Sequence, residues 1–159
     1  MAGTPKVKIS KERILQEAEA LFAARGFYAV TIREITQAAH CNLAAVNYYF
    51  GNKQNLYMEV FRSLWKPRAR RILARFESLL GSLGEVTLKG IVHAVAEAFI
   101  KGPLSDDERL RHFQLMVREM ARPTEAFEMV VGDVIGPFQR KLAELIRPFM
   151  AREMGQVAL

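Results

Sequence analysis

The stretch Cys41 to Lys53, CNLAAVNYYFGNK, constrains this chain more than any other. Its spacing predicts a short helix capped at both ends, followed at once by a new helix start. Asn42 can serve as N-cap, its side-chain oxygen accepting from an orphan backbone N–H. Cys41 and Val46 have the spacing of a hydrophobic staple. Gly51 can take the left-handed turn that closes the helix, and Asn52 can cap the next one. Val46 and Phe50 are four apart and share one face. Leu43, Ala44, Asn47 and Tyr48 are then left to look outward. Such a helix, with one narrow apolar stripe and small or phenolic residues elsewhere, is suited to lie against a partner.

The residues just before it define the partner's geometry. Thr31-Ile32-Arg33-Glu34 has the spacing of a capping box, and Val30 and Ile35 add a second staple. A helix from Thr31 to Ala39 would bury Ile32, Ile35 and Ala39 and turn through His40-Cys41 into the Asn42 helix. Two short helices joined this way form a helix-turn-helix, whose second helix can enter a DNA major groove. Glycine, common in such turns, is absent; Cys41 and Asn42 stand there instead.

Charge supports the same direction. Residues 1–71 hold twelve Lys/Arg against five Asp/Glu, whereas residues 72–159 hold eleven against twelve. The whole excess of +6 therefore sits in the half that carries the helix-turn-helix, where it can attract a polyanion. The 50% hydrophobic content predicts a globular chain. A single cysteine suits a reducing, cytoplasmic setting. No signal-peptide core and no membrane-length apolar run are present, so a soluble protein with no membrane partner is expected.

The remainder reads as helices. Residues 1–9 are expected to be a flexible basic arm with Lys6 and Lys8. A first helix opens at Ser10 and stops before Gly26, with Ile14, Leu15, Ala18, Leu21 and Phe22 as its stripe. The helix after Asn52 carries Leu56, Val60, Phe61 and Leu64, and Pro67 is expected to kink or break it. This places a domain boundary between 10–66 and 67–159. Arg68, Arg70, Arg71 and Arg75 beyond it are read as solvated helix charges, with an extended DNA footprint as the alternative. Further helices are expected from Thr87 to Ile100, from a Ser105–Glu108 capping box to Met120, and from Thr124 onward with a bend at Pro137. Leu110, Phe113, Met116, Val117 and Met120 form the apolar stripe of the second of these.

Several signatures agree in order. Lys11-Glu12-Arg13-Ile14-Leu15 through Phe22-Ala23-Ala24-Arg25-Gly26-Phe27, then Thr31–Ile35, then Ala45–Lys53, resemble the DNA-binding domain of the TetR family of bacterial repressors. The run His112–Pro123 is more weakly similar to the C-terminal domain of the CecR subgroup. The resemblance implies an all-α fold: a three-helix DNA-binding domain followed by a helical effector-binding and dimerisation domain. By position it implies that Leu43, Ala44 and Asn47 face base edges, with Ala45 also among the DNA-binding residues. Asn47 stands where relatives more often have tyrosine, and an asparagine can bond adenine bidentately. Thr31, Arg33, Tyr48, Tyr49 and Lys53 would hold phosphates, with Arg33 also able to reach a base. A pocket for an apolar effector would draw on His93, Phe113, Met116 and Met120, the methionines giving it an adaptable lining. Ordinary core packing is the competing account of those residues.

Family members usually continue for two more antiparallel helices that build the dimer. Against that pattern this chain reads as truncated, or dimerises through its last long helix. The expected function is repression from a palindromic double-stranded operator by a homodimer, relieved by a small apolar effector. The alternative is a helical protein that sequesters an apolar ligand or a related subunit without binding DNA. Catalysis finds no Gly-rich phosphate loop, nucleophile elbow or paired His/Cys spacing, so neither an enzyme nor a metal or other cofactor is expected.

Overall fold

The computed structural model describes residues 11–157, with side chains up to Met150; the arm expected over 1–9 and the Ser10 cap lie outside the described residues. Every regular element among them is helical. In order these are α1 (Lys11–Arg25), α2 (Ile32–Ala38), α3 (Leu43–Phe50), α4 (Lys53–Val60), α5 (Lys66–Gly81), α6 (Leu88–Ala96), α7 (Asp106–Ala121), α8 (Glu125–Val130) and α9 (Gly136–Val157). No helix among the described residues is long and apolar enough to cross a membrane.

Pro67 and Pro137 are accommodated within α5 and α9, whereas Pro103 stands between the helix end at Lys101 and the start of α7 at Asp106. π turns occupy Phe61–Trp65, Glu97–Lys101 and Val131–Ile135, and each is followed two positions later by a proline: Pro67, Pro103 and Pro137. In an α-helix the proline ring collides with the carbonyl four residues earlier. Widening the preceding turn to i→i+5 bonding relieves that collision. The chain thus stays helical from Lys53 through Pro67 to Gly81, where the sequence predicts a kink or break.

Two compact units divide the chain. The first comprises the residues up to Trp65 together with Leu110–Ala126; the second comprises Lys66–Arg109 and the residues from Phe127 onward. In the first unit Ile14, Ala18, Phe22, Val30, Ile35, Val46, Leu56, Val60 and Phe61 are fully buried. Phe22 meets Tyr57 edge-on at 4.8 Å, and the ring series continues through Phe61 and Trp65 to His112, stacked on Trp65 at 4.5 Å. Residues 110–126 belong to this core through polar contacts between distant parts of the chain. Tyr57 donates to Glu119 at 2.6 Å, Trp65 donates to the His112 carbonyl at 3.0 Å, and Arg111 lies 3.6 Å from the buried Glu19. Arg118 donates to the carbonyls of Ala23 and Ala24, the natural place for a cation at a helix C-terminus.

α7 therefore packs the opposite way from its apolar pattern. The buried residues are His112, Leu115 and Glu119, while Leu110, Phe113, Val117 and Met120 are exposed. The cause is specific bonding: burying Glu119 is tolerable because its oxygens accept from Tyr57 and from both the N–H and the hydroxyl of Thr124.

The second unit closes on Ile72, Phe76, Ala94, Ala98 and Leu104, with Phe138 meeting Phe76 edge-on at 5.4 Å. Of the four arginines after Pro67 in α5, Arg70 is exposed and the other three have acidic partners. Arg68 is buried 3.4 Å from Glu108, which Arg71 reaches at 2.6 Å, and Arg75 lies 3.9 Å from Glu97. Ser105 and Glu108 form the expected reciprocal cap of α7. Burial would raise the Glu108 pKa, but Arg71 and the Ser105 N–H more than offset it, holding it at about 2.

Candidate nucleic-acid interface

The α2–α3 pair is assembled from local caps. Thr31 Oγ1 accepts from the Glu34 N–H at 3.2 Å while Glu34 accepts from the Thr31 N–H at 2.8 Å. Arg25 reinforces this cap, donating to Glu34 at 2.7 Å and to the Ala29 carbonyl at 2.6 Å. The Arg25 hydrogen bond, followed by those from Thr31, holds the Glu34 carboxyl down at about 2. Ala39 is the C-cap of α2, and the turn into α3 is made by His40 at φ +51°. Histidine fills the left-handed position that glycine usually takes, and short polar-tipped residues are among those that tolerate it. Asn42 caps α3 by accepting from the Ala45 N–H at 2.9 Å, and Gly51, at φ +79°, ends it. Asn52 accepts from the Asn55 N–H at 2.8 Å to open α4.

With both ends pinned, the rotation of α3 is fixed by Val46 and Phe50, which are buried against the first unit's core. The opposite surface is open. Tyr48 is 81% exposed, Leu43 56% and Tyr49 38%, and Ala44 and Asn47 are exposed beside them, with Ala45 half-buried. The rings of Tyr48 and Tyr49 meet edge-on at 5.1 Å. Thr31 and Arg33 are exposed on α2 and its cap, and the Arg33 side chain makes no ion pair among the described residues. The Lys53 ammonium lies 4.3 Å over the Phe27 ring at the start of α4. Burial lowers its pKa, partly offset by Glu34. Cys41, at the turn, is half-buried, and the same desolvation raises its thiol pKa, partly offset by Arg13. The arrangement offers an asparagine amide, two phenols and apolar tips on one narrow rod, flanked by cations. That suits base edges and phosphates.

The expected effector residues fall in both units. His93 is exposed on α6 in the second unit; Phe113 and Met120 are exposed and Met116 half-buried on α7 in the first. Sequence reasoning missed His40 as the left-handed residue, Arg25 as the brace of the α2 cap, and the inclusion of 110–126 with the reading helices. The first was accessible from its position just past the last buried residue of α2. The others depend on partners that local spacing does not identify.

The chain matches the model of bacterial regulatory proteins of the tetR family over residues 14–60. Over residues 85–156 it matches the C-terminal domain of the HTH-type transcriptional dual regulator CecR. It is similar to the HTH-type transcriptional dual regulator CecR of Shigella flexneri, with 28% identity over 155 residues. That alignment covers 91% of this chain, which spans 66% of the relative's length. In fold it is similar to the TetR family transcriptional regulator PfmR from Thermus thermophilus, with a TM-score of 0.56 and 21% identity. That match covers 96% of this chain and 75% of the other.

Proposed function

Because the chain belongs to the TetR family of bacterial regulatory proteins, we propose that it is a sequence-specific DNA-binding repressor of transcription. It acts in the cytoplasm as a homodimer on a palindromic operator and is released by a small, apolar effector. The observation that carries this reading is the open face of α3, where Leu43, Asn47 and Tyr48 stand out from a helix capped at both ends. Asn47 would read an adenine, contributing roughly 1–3 kcal/mol of discrimination. Leu43, Ala44 and Ala45 would touch thymine methyls, and Thr31, Arg33, Tyr48, Tyr49 and Lys53 would hold phosphates.

Two-fold pairing matters because one rod of this length covers only a few base pairs, and operator symmetry mirrors protein symmetry. Selection of duplexes from a random library tests the proposal. Enrichment of an inverted repeat containing a fixed adenine supports it, and recovery of unrelated sequences contradicts it.

A second reading is a helical protein that sequesters a related subunit. The exposed row Leu110, Phe113, Val117 and Met120 on α7 favours it, since apolar rows of this kind mark protein contacts. Co-purification with a related subunit in the absence of any duplex preference would distinguish it.

A further inference from the structure

We propose that a cleft of about 200 Å³ inside the first unit binds a small, planar organic monocarboxylate. Its walls include Arg25, Tyr28, Tyr57, Arg118, Glu119 and Arg122. The site lies within the reading unit, and its argument does not depend on the DNA reading.

The charges in the wall are unequal in number and in commitment. The single carboxylate there, Glu119, already accepts from the Tyr57 hydroxyl at 2.6 Å, the Thr124 N–H at 2.9 Å and the Thr124 hydroxyl at 3.0 Å. Three arginines line the same cleft. Arg118 is engaged with the carbonyls of Ala23 and Ala24, and Arg25 with Glu34 and the Ala29 carbonyl. Arg122 differs. Its guanidinium centre lies 3.7 Å over the Tyr28 ring, and its N–H edge makes no hydrogen bond among the described residues. A guanidinium stacked on a ring keeps its in-plane fork for a carboxylate, which it can grip bidentately.

Size and wall chemistry narrow the ligand. The cleft is smaller than the roughly 300–1,000 Å³ of sites for drug-sized molecules, so the occupant has to be small. Tyr28, 52% exposed, supplies ring surface that suits a flat body, whereas inorganic phosphate would use the cations alone. Binding would also draw on Arg25, the brace of the Thr31–Glu34 cap, and so would be linked to the geometry at the start of α2.

Titration of the full chain with benzoate, without DNA, tests the site by calorimetry and by fluorescence of Trp65, the chain's one tryptophan. Saturable one-to-one binding of benzoate is expected, with benzamide, acetate and inorganic phosphate each weaker by about tenfold or more. Arg122→Met should weaken benzoate by about tenfold, and Arg122→Lys by less, because only arginine presents the fork. Tyr28→Leu removes the platform instead of the charge and should also weaken benzoate. Equal binding of benzoate and benzamide would overturn the proposal. Phosphate as tight as benzoate, unchanged binding in both Arg122→Met and Tyr28→Leu, or no saturable binding would do the same. Because no DNA is present, failure here leaves the operator reading standing, and failure of operator binding leaves this site standing.

Discussion

The Tyr57 hydroxyl donates a 2.6 Å hydrogen bond to the Glu119 carboxylate across 62 positions of chain, and both side chains are buried. Burial, and then the neighbouring carboxylate, raise the tyrosine pKa well above its ordinary value, so the phenol remains a donor. Through this contact a stretch of the C-terminal half becomes part of the unit that carries α2 and α3.

Tyr57→Phe leaves the ring packing on Phe22 but takes one donor from a buried carboxylate. It should cost about 1–3 kcal/mol of stability, read as a lower urea midpoint. Glu119→Gln should cost less than Glu119→Ala, because the amide oxygen can still accept from the Thr124 N–H. Equal losses would show that the bonding at Thr124 contributes little.

Glu34 gives the α2 cap a defined pH response. Its folded pKa of about 2 lies below the usual 4.5, so the stabilisation is fully present above 4.5 and is lost as pH falls toward 2. Glu108, also held at about 2, titrates in the same window, so the informative quantity is the difference between wild type and Glu34→Gln. That difference should shrink on acidification through the window. A gap that stays constant there would contradict the cap's role.

His40 adopts φ +51°, a conformation that glycine takes without steric cost. His40→Gly should leave stability unchanged or raise it by up to about 1 kcal/mol, whereas His40→Val should lower it by about 1–2 kcal/mol. Thermal melts of the two variants check the ordering. A valine variant as stable as the glycine variant would remove the left-handed turn from the account.

Asn47 and Lys53 should fail in different ways. Asn47→Ala should relax preference at one base pair, while Lys53→Ala should weaken all duplexes alike and lower the salt slope by about one contact. Competition binding against single-base variants of the selected site separates the two patterns.

What could be read from the sequence was local. The caps at Thr31, Asn42, Asn52 and Ser105 and the turn at Gly51 rest on partners three or four residues away, and spacing alone identifies them. The inward pair Val46 and Phe50 follows from the same periodicity, and so does the outward face of α3. α7 was misread because periodicity assigns burial to apolar side chains. Here the buried face is chosen by Tyr57, Trp65 and Glu19, which bond Glu119, the His112 carbonyl and Arg111 from far along the chain. At Pro67 residue type announces a conflict with helix geometry, and of the two expected outcomes, a kink or a break, the π turn before it removes the break by keeping the chain helical.

The central claim is that the exposed side chains of α3 read a duplex. Fluorescence anisotropy compares the selected palindrome with a scrambled duplex of equal length and composition across a salt series. The account predicts a falling log–log salt dependence for both duplexes and tighter binding of the palindrome at every salt concentration, an advantage that Asn47→Ala narrows. Equal affinity for the two duplexes, or affinity that does not change with salt, would contradict it.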